Sequence, residues 1–200
     1  AQQIEIDDRV LAAFSDTAGI LAVNPATGDV AWRFTPKDWS GPPIVQLQQI
    51  GPSNLIVPLG DGIGIARLDV TYAGGDWEIV ERWTTNKLKP SFNDFVFHQG
   101  AVFGFDQSIF VCLDAETGQR RWKGGRYGFG QVLLLSEPSQ LLITTETGEL
   151  VLLAADDTRH VELDRLPVLQ GKTWNHPIVA DGRLFLRNGV QAVCLDLLGR

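Results

Sequence analysis

Short apolar runs alternate with tight polar turns along the whole chain, and the arrangement repeats. Five segments share one layout, in which two runs rich in β-branched and aromatic residues flank a polar turn. The segments close at equivalent positions roughly 40 to 45 residues apart, a period within the range of known repeat architectures. These positions are Asn24, Asp69, Asp114, Ala154 and Asp196. Such regular spacing predicts a protein built from five similar units.

Each unit has the pattern of a β-sheet. Turn residues that tolerate positive φ, such as Asp61-Gly62 and Asn188-Gly189, separate the two runs of a unit and predict a β-hairpin. A further apolar run leads into the hairpin in four units, at 43–45, 95–97, 132–135 and 177–179. No segment shows sustained 3.6-residue periodicity, so no helix is predicted.

An outer run with a tryptophan follows the hairpin in three units. We expect these tryptophans, Trp32, Trp83 and Trp122, to dock the outer strand of each unit. Four-stranded antiparallel units in series predict an all-β protein with a β-propeller fold, because one such sheet cannot bury both of its faces alone. We treat 1–200 as a single β-propeller domain or fragment, with units at about 1–36, 37–87, 88–124, 125–168 and 169–200.

Composition and charge narrow the functional classes. Hydrophobic residues make up 44% of the 200 residues and charged residues 20%, which is typical of a globular protein and not of a disordered one. The net charge of −7 comes without a basic patch, so nucleic acid is not an expected partner. No apolar run is long enough for a transmembrane segment. The chain has no Met and no apolar stretch at its N-terminus, so we expect a processed product or an excised piece.

The two cysteines, Cys112 and Cys194, occupy equivalent Val-Cys-Leu-Asp positions two units apart. We expect both thiols to be buried as small hydrophobic groups, too distant to form a disulfide. Their redox state is left open. Neither cysteine has another Cys or a His at ligand spacing, and the three histidines lack partners, so no metal site is predicted.

Three sequence features together resemble the pyrroloquinoline-quinone (PQQ)-like propeller repeat of BamB-like proteins. They are the turn and strand at 181–185, the Leu-Asp-Ala-Glu-Thr-Gly stretch at 113–118, and Trp122. Members of that family usually have seven or eight blades, so the resemblance implies that this chain is the C-terminal portion of such a ring. The alternative is that the five units close as a small five-bladed ring. An open arc would expose apolar blade faces, and self-association is then expected. The resemblance also implies a bacterial, periplasmic or otherwise exported protein.

Propeller geometry places the links between blades and the inner hairpin turns on one face. The predicted ligand-binding residues lie on these links, where aromatic, amide and cationic groups could surround a concave surface. They are Trp39, Asn93, Arg126, Tyr127, Trp174, Asn175 and His176. The alternative is that the aromatic residues wedge between neighbouring blades.

The favoured function is a non-catalytic binding or scaffold propeller, with no cofactor and with an unidentified protein, small molecule or glycan as partner. One alternative implied by the resemblance is a PQQ- and calcium-dependent dehydrogenase. Its acidic candidates, Asp61, Asp94 and Asp106, are not distinguishable from turn residues, and the adjacent cysteines frequent in such enzymes are missing. A second alternative is a carbohydrate-binding propeller that uses Trp39 and Trp174. No catalytic residue is assigned.

Overall fold

The computed structural model describes residues 1–37, 39, 41 and 44–197, and these residues form nineteen β-strands and no helix. No segment of this described part therefore forms a membrane-spanning helix. The strands are β1 (Gln2–Ile6), β2 (Arg9–Asp16), β3 (Gly19–Val23), β4 (Val30–Phe34), β5 (Gln48–Gln49), β6 (Asn54–Pro58), β7 (Ile65–Ala73), β8 (Asp76–Thr85), β9 (Val96–His98), β10 (Ala101–Asp106), β11 (Ile109–Asp114), β12 (Arg120–Arg126), β13 (Gln131–Leu135), β14 (Gln140–Thr144), β15 (Glu149–Ala154), β16 (Glu162–Pro167), β17 (Ile178–Ala180), β18 (Arg183–Arg187) and β19 (Ala192–Asp196).

The strands form five antiparallel sheets, each a simple up-and-down meander. The first four sheets have four strands each, β1–β4, β5–β8, β9–β12 and β13–β16, and the fifth has three, β17–β19. Each sheet falls within one predicted unit, except that β12 runs to Arg126, past the expected boundary at 124. The prediction of an all-β fold made of four-stranded antiparallel units is confirmed.

The leading strand of the second sheet differs from the prediction. We expected it at 43–45, but β5 is Gln48–Gln49, while Val45 is buried outside any strand and Pro43 lies outside the described residues. The turn before β6 brings Gln48 opposite Ile56 and Gln49 opposite Leu55. The residues that pair are therefore those immediately before the turn, because hairpin register is set by the turn.

Two compact units are present. The first comprises Ala1–Phe92 with Ala115–Gln119, and the second Asn93–Asp114 with Arg120–Arg200. The core of the first unit is apolar, and its largest fully buried side chains include Ile4, Ile6, Ile20, Leu55 and Leu68. In the second unit, Phe103, Phe105, Phe110 and Cys112 pack with Val132, Leu141, Ile143, Val151 and Leu153. Leu142, on the opposite face of the fourth sheet, clusters with Leu184 and Leu186 of the fifth.

Three tryptophans occupy the same position in their ladders. Trp32 pairs with Ala22, Trp83 with Arg67 and Trp122 with Cys112, and a β-bulge follows in the pairing each time. The fourth sheet has the same bulge, and there Asp164 takes the tryptophan position, opposite Leu152.

Two of the indole N–H groups donate to a turn carbonyl. Trp83 Nε1 donates to Glu116 O at 3.0 Å, and Trp122 Nε1 donates to Asp156 O at 2.9 Å. Both acceptors lie in the turn that follows the third strand of a sheet. Trp32 Nε1 is buried and has no acceptor among the described residues. In the second sheet the corresponding turn is replaced by the long β7–β8 hairpin, in which Thr71 pairs with Glu78.

Gly118 lies directly against the ring of Trp83. A Cβ added to Gly118 would approach Trp83 Cδ2 and Cε3 to 2.8 Å, and the residue has φ +68°. Gly28 occupies the same place in the turn of the first sheet, with φ +79°, and a Cβ there would meet no atom within 4 Å. The two glycines therefore share a backbone conformation but differ in their contact with a tryptophan.

We expect Gly118→Ala to destabilise the protein more than Gly28→Ala. Both changes carry the left-handed penalty of about 1–2 kcal/mol. Only Gly118→Ala forces the ring of Trp83 to move, which adds about 1–3 kcal/mol of overpacking. Urea denaturation of the two variants measures the difference, and equal midpoints would show that the ring contact contributes nothing.

A cleft of 340 Å³ lies beside Asp164, where the other sheets carry a tryptophan. Its walls are mostly leucine, and it is lined by Leu135, Gln140, Leu142, Leu150, Leu152, Asp164, Arg165, Leu166 and Leu197. A short polar side chain leaves this apolar surface open, whereas an indole would cover it.

We therefore expect Asp164→Trp to stabilise the protein, by about 1 kcal/mol, because it fills an apolar cleft. Asp164→Ala is the matched control, since it removes the same carboxylate without filling the space. Thermal and urea unfolding of both variants test the expectation. A tryptophan variant no more stable than the alanine variant would contradict it.

Candidate functional site

Several links and one inner hairpin turn meet in the second unit. They are the residues just before β9, the link 127–130 before β13, the β14–β15 turn at 145–148, and the link 168–177 between β16 and β17. Glu146 joins three of these segments. Its carboxylate accepts from Trp174 Nε1 at 3.0 Å and from Phe129 N at 3.2 Å, and its backbone N–H donates to Tyr127 O at 3.0 Å.

His176 and Asp94 form a second connection. His176 Nε2 lies 2.7 Å from Asp94 Oδ2, and Asp94 N donates to Gln131 Oε1 at 3.1 Å. Gln131 Nε2 in turn donates to the carbonyl of Trp174 at 3.0 Å. This chain of contacts ties the link before β9 to the link before β17.

The hydrogen bond to Asp94 is the main reason why the pKa of His176 is raised above 6.5. His160, in contrast, has a lowered pKa because burial disfavours its charged form. The cationic form of His176 is therefore favoured near neutral pH compared with a solvated histidine.

Trp174 is an exposed aromatic residue at this site, with 42% of its surface accessible. The Lys172 ammonium lies 4.4 Å from its ring centroid, within the range of a cation–π contact. Asn188 Nδ2 donates to Gln170 O and Thr173 Oγ1, which attaches the β18–β19 turn to the same link. Val190 in that turn is 84% exposed.

We call this surface the link face of the second unit. It presents two exposed apolar side chains among charged and amide groups. Its members are Asp94, Glu146, Lys172, Trp174, His176 and Val190.

Of the residues predicted to bind a ligand, Trp174 and His176 lie on the link face, and half-buried Asn175 lies between them. Asn93 is fully buried beside Asp94. Arg126 Nη1 donates to Ser108 Oγ at 2.9 Å within its own sheet.

Trp39 lies in the first unit. It packs partly buried against the apolar core there, and its Nε1 donates to Thr17 O at 3.2 Å. Trp39 is therefore not a member of the link face, which is defined within the second unit.

Tyr127 is a core residue, with 2% of its surface exposed. Its hydroxyl lies 2.7 Å from His160 Nε2 and donates to Glu162 Oε2 at 3.1 Å. Burial and the adjacent Glu162 raise the pKa of this phenol. Arg165 completes the cluster by donating to Glu162 through Nε at 2.8 Å.

The acidic residues considered for a dehydrogenase have separate surroundings. Asp106 forms an ion pair with Lys123, Asp94 contacts His176, and Asp61 is exposed. Within the described part of the chain, no group of three or more His, Cys, Asp or Glu side chains is placed to hold a metal ion.

The expectation for the cysteines is confirmed at Cys112 and wrong at Cys194. Cys112 is buried, and burial raises its pKa to about 12. Cys194 is an exposed thiol, because no sheet or outer strand in the described residues covers the face of the fifth sheet on which it lies.

Two further clefts lie in the first unit. One of 620 Å³ in the first unit is lined by residues that include Ile63, Trp83, Lys87 and Gln119, and one of 370 Å³ by residues that include Arg9, Tyr72 and Trp77.

Four-stranded antiparallel meanders in series, with a polar face built from links and inner turns, define a β-propeller. The family model described as outer membrane protein assembly factor BamB matches residues 3–130. The chain therefore belongs to this family, and the resemblance seen in the sequence is confirmed.

Solved structures show the same fold at low sequence identity. BamB from Moraxella catarrhalis is 13% identical, with a TM-score of 0.51 over 97% of this chain and 71% of that one. A functionally unknown protein from Desulfotomaculum acetoxidans is 10% identical, with a TM-score of 0.65 over 98% and 68%. Sqt1 from Saccharomyces cerevisiae is 13% identical, with a TM-score of 0.66 over 92% and 55%. Among curated proteins, no sequence matches significantly.

Sequence reasoning missed Glu146, Lys172, Gln131 and Val190 as members or supports of the site. In the sequence Glu146 lies in the polar turn at 145–148, and an acidic residue in an inner turn lies on the same face as the links. Gln131 is the first residue of the strand that contains the apolar run 132–135, and nothing in the sequence marks it as a support of the site.

We expect NMR titration to give His176 a pKa above 6.5 and His160 a pKa below 6.5. The Asp94 contact of His176 thus contributes stability that is present below pH 6.5 and is lost as the pH rises through the folded-state pKa. Asp94→Asn should lower the pKa of His176 and leave that of His160 unchanged. If the pKa of His176 is the same in Asp94→Asn as in the unchanged chain, the contact between Asp94 and His176 does not form in solution.

Proposed function

We propose that this propeller acts as a non-catalytic binding or scaffold module, and that a protein partner binds the link face of its second unit. The observation that carries the proposal is the pair of exposed apolar residues, Trp174 and Val190, held on hydrogen-bonded links among charged groups. Binding surfaces typically place an aromatic anchor within a polar rim.

The support of Trp174 favours a role in binding. Glu146 fixes the indole N–H, so the ring is already oriented and little side-chain entropy is lost when a partner covers it. Lys172 lies over the ring at 4.4 Å, which limits stacking of a sugar on that side. These contacts favour a protein partner over the carbohydrate alternative.

Family membership supports a scaffold or binding role at a coarse level and suggests an exported protein. The matched family is described as an outer membrane protein assembly factor. We propose accordingly that the chain works on the periplasmic side of a bacterial membrane, without a cofactor. The match ends at residue 130, so every residue of the link face except Asp94 lies outside the matched region.

A displayed peptide library selected on the immobilised chain tests the proposal. We expect enriched peptides to lose affinity about thirty-fold for Trp174→Ala, as for a binding hot spot of about 2 kcal/mol. Val190→Ser should weaken the same peptides less. Val30→Ser, which changes an exposed residue of β4 in the first unit, is the matched control and should leave binding intact.

If the peptides bind Trp174→Ala and Val190→Ser as tightly as they bind the unchanged chain, the binding site lies elsewhere. A calorimetric titration with PQQ and Ca²⁺ tests the dehydrogenase alternative. Saturable binding of about one PQQ per chain would support that alternative and count against the proposal. A glycan screen with Trp174→Ala as control tests the carbohydrate alternative in the same way.

A further inference from the structure

The β7–β8 hairpin departs from the repeat and forms one side of a cleft in the first unit. β7 has nine residues and β8 has ten, whereas the third and fourth strands of the other four-stranded sheets have five to seven. The cleft has a volume of 370 Å³, and its lining includes Arg9, Asn24, Asp29, Ala31, Tyr72 and Trp77. We call it the hairpin cleft, since the extra length of the hairpin supplies its two aromatic residues.

The walls of the hairpin cleft come from the first and second sheets. Leu11 of β2 and Ala31 of β4 line the cleft, and both pack against the core of the first unit together with Leu55 and Leu68 of the second sheet. Arg9 lies two residues before Leu11 and therefore points to the same side of β2. The cleft is thus bounded by two sheets of one compact unit.

The aromatic wall is held in place by contacts within the unit. Tyr72 pairs with Trp77 across the hairpin, and their ring centroids are 4.9 Å apart. The Arg9 guanidinium lies 3.7 Å from the centroid of Tyr72, as in a cation–π contact. Asp7 fixes both partners, because its carbonyl accepts from Arg9 Nη1 at 2.9 Å and its carboxylate accepts from Tyr72 N at 2.8 Å. A ligand therefore meets walls that are already ordered, which lowers the entropy cost of binding.

Polar groups of the hairpin cleft are available to a ligand. Asn24 Oδ1 accepts from a backbone N–H of its own turn at 2.9 Å, and the amide NH₂ keeps its two donors. The indole N–H of Trp77, the hydroxyl of Tyr72 and the carboxylate of Asp29 make no hydrogen bond to any described residue. The cleft thus presents donors from Arg9, Asn24 and Trp77 close to an acidic acceptor.

This set of groups suits a neutral carbohydrate. A hydroxyl group both donates and accepts, so the rim of a sugar ring can serve the Asp29 carboxylate and the Arg9 guanidinium alike. A charged ligand would meet a like charge at one of these two residues. The C–H face of a sugar ring also stacks on an aromatic ring, and an aromatic surface beside a few placed polar groups is typical of small-ligand sites. Because Arg9 already covers Tyr72, the ring left for stacking is Trp77.

We propose that the hairpin cleft binds a neutral carbohydrate, with one sugar ring stacked on the indole of Trp77 and its hydroxyl groups hydrogen-bonded to Asp29 and Asn24. This site lies in the first unit and is distinct from the link face of the second. It gives the propeller a second binding activity, which does not depend on the partner proposed for the link face.

A glycan microarray followed by calorimetry tests the proposal. The array carries oligosaccharides of glucose, mannose, galactose, xylose and N-acetylglucosamine, and the best binder is titrated into the chain. We expect saturable binding of one oligosaccharide per chain. Asp29→Ala removes an exposed carboxylate that makes no side-chain hydrogen bond to a described residue, so this variant should fold normally. It should bind the same oligosaccharide about tenfold more weakly, as expected for loss of a hydrogen bond to a charged group.

The indole N–H of Trp77 gives a direct readout of the site. Trp77→Phe keeps an aromatic ring and removes this N–H, so the signal that disappears from the NMR spectrum is that of Trp77. In the unchanged chain we expect this signal to shift as the oligosaccharide is added.

Trp174→Ala is the matched control for the tryptophan substitution, since it changes an exposed tryptophan of the second unit. It should bind the oligosaccharide with unchanged affinity, although it loses the peptides selected on the link face. Asp29→Ala should show the opposite behaviour. Failure of the carbohydrate site is thereby distinguished from failure of the link face.

Three results would overturn the proposal. The first is that no oligosaccharide on the array binds saturably. The second is that an oligosaccharide binds Asp29→Ala as tightly as the unchanged chain and leaves the Trp77 signal in place, because the sugar then lies elsewhere. The third is that the selected peptides, and no oligosaccharide, shift the Trp77 signal, which would make the hairpin cleft a peptide site.

Discussion

Burial of one sheet face against the next is the interaction on which the rest of this structure depends. A four-stranded meander of this length has two faces and little thickness, so its apolar residues leave water only when another sheet covers them. In the second unit the fourth sheet shows this on both sides. Leu141 and Ile143 face the third sheet, while Leu142 lies between the fourth sheet and the fifth. Successive side chains of β14 point to opposite faces of the sheet, so this one strand contributes to the packing against both neighbouring sheets.

Hydrogen bonds from the outer-strand tryptophans fix the position of these rings within the packing. Trp83 and Trp122 donate to turn carbonyls, so that an apolar ring also makes a polar contact at a fixed place. The exceptions follow local changes in the chain. The long β7–β8 hairpin replaces the turn that would accept from Trp32, and Asp164 replaces the tryptophan beside the leucine-lined cleft. The repeat is therefore preserved in backbone register even where its side-chain contacts are lost.

The sequence was sufficient to predict the fold, because spacing and turn chemistry repeat along the chain and are local properties. It also predicted the tryptophan position in three sheets. The site was harder to predict. Tyr127 and Trp174 are both aromatic residues on links, and the sequence does not distinguish their surroundings. Tyr127 is nevertheless in the core and Trp174 is exposed, because burial depends on which sheets flank each link. Cys112 and Cys194 occupy equivalent positions as well, and only the structure distinguishes the covered face from the open one.

The meander topology has a consequence for how the chain folds. Every strand pair joins neighbours in sequence, so each sheet can form from local contacts with little loop-closure entropy. Stability in such a chain is close to a sum of contributions from each sheet and from its nearest neighbours. Among the described residues the fifth sheet has three strands and an exposed apolar face, so we expect its amides to exchange with solvent before those of the fourth sheet.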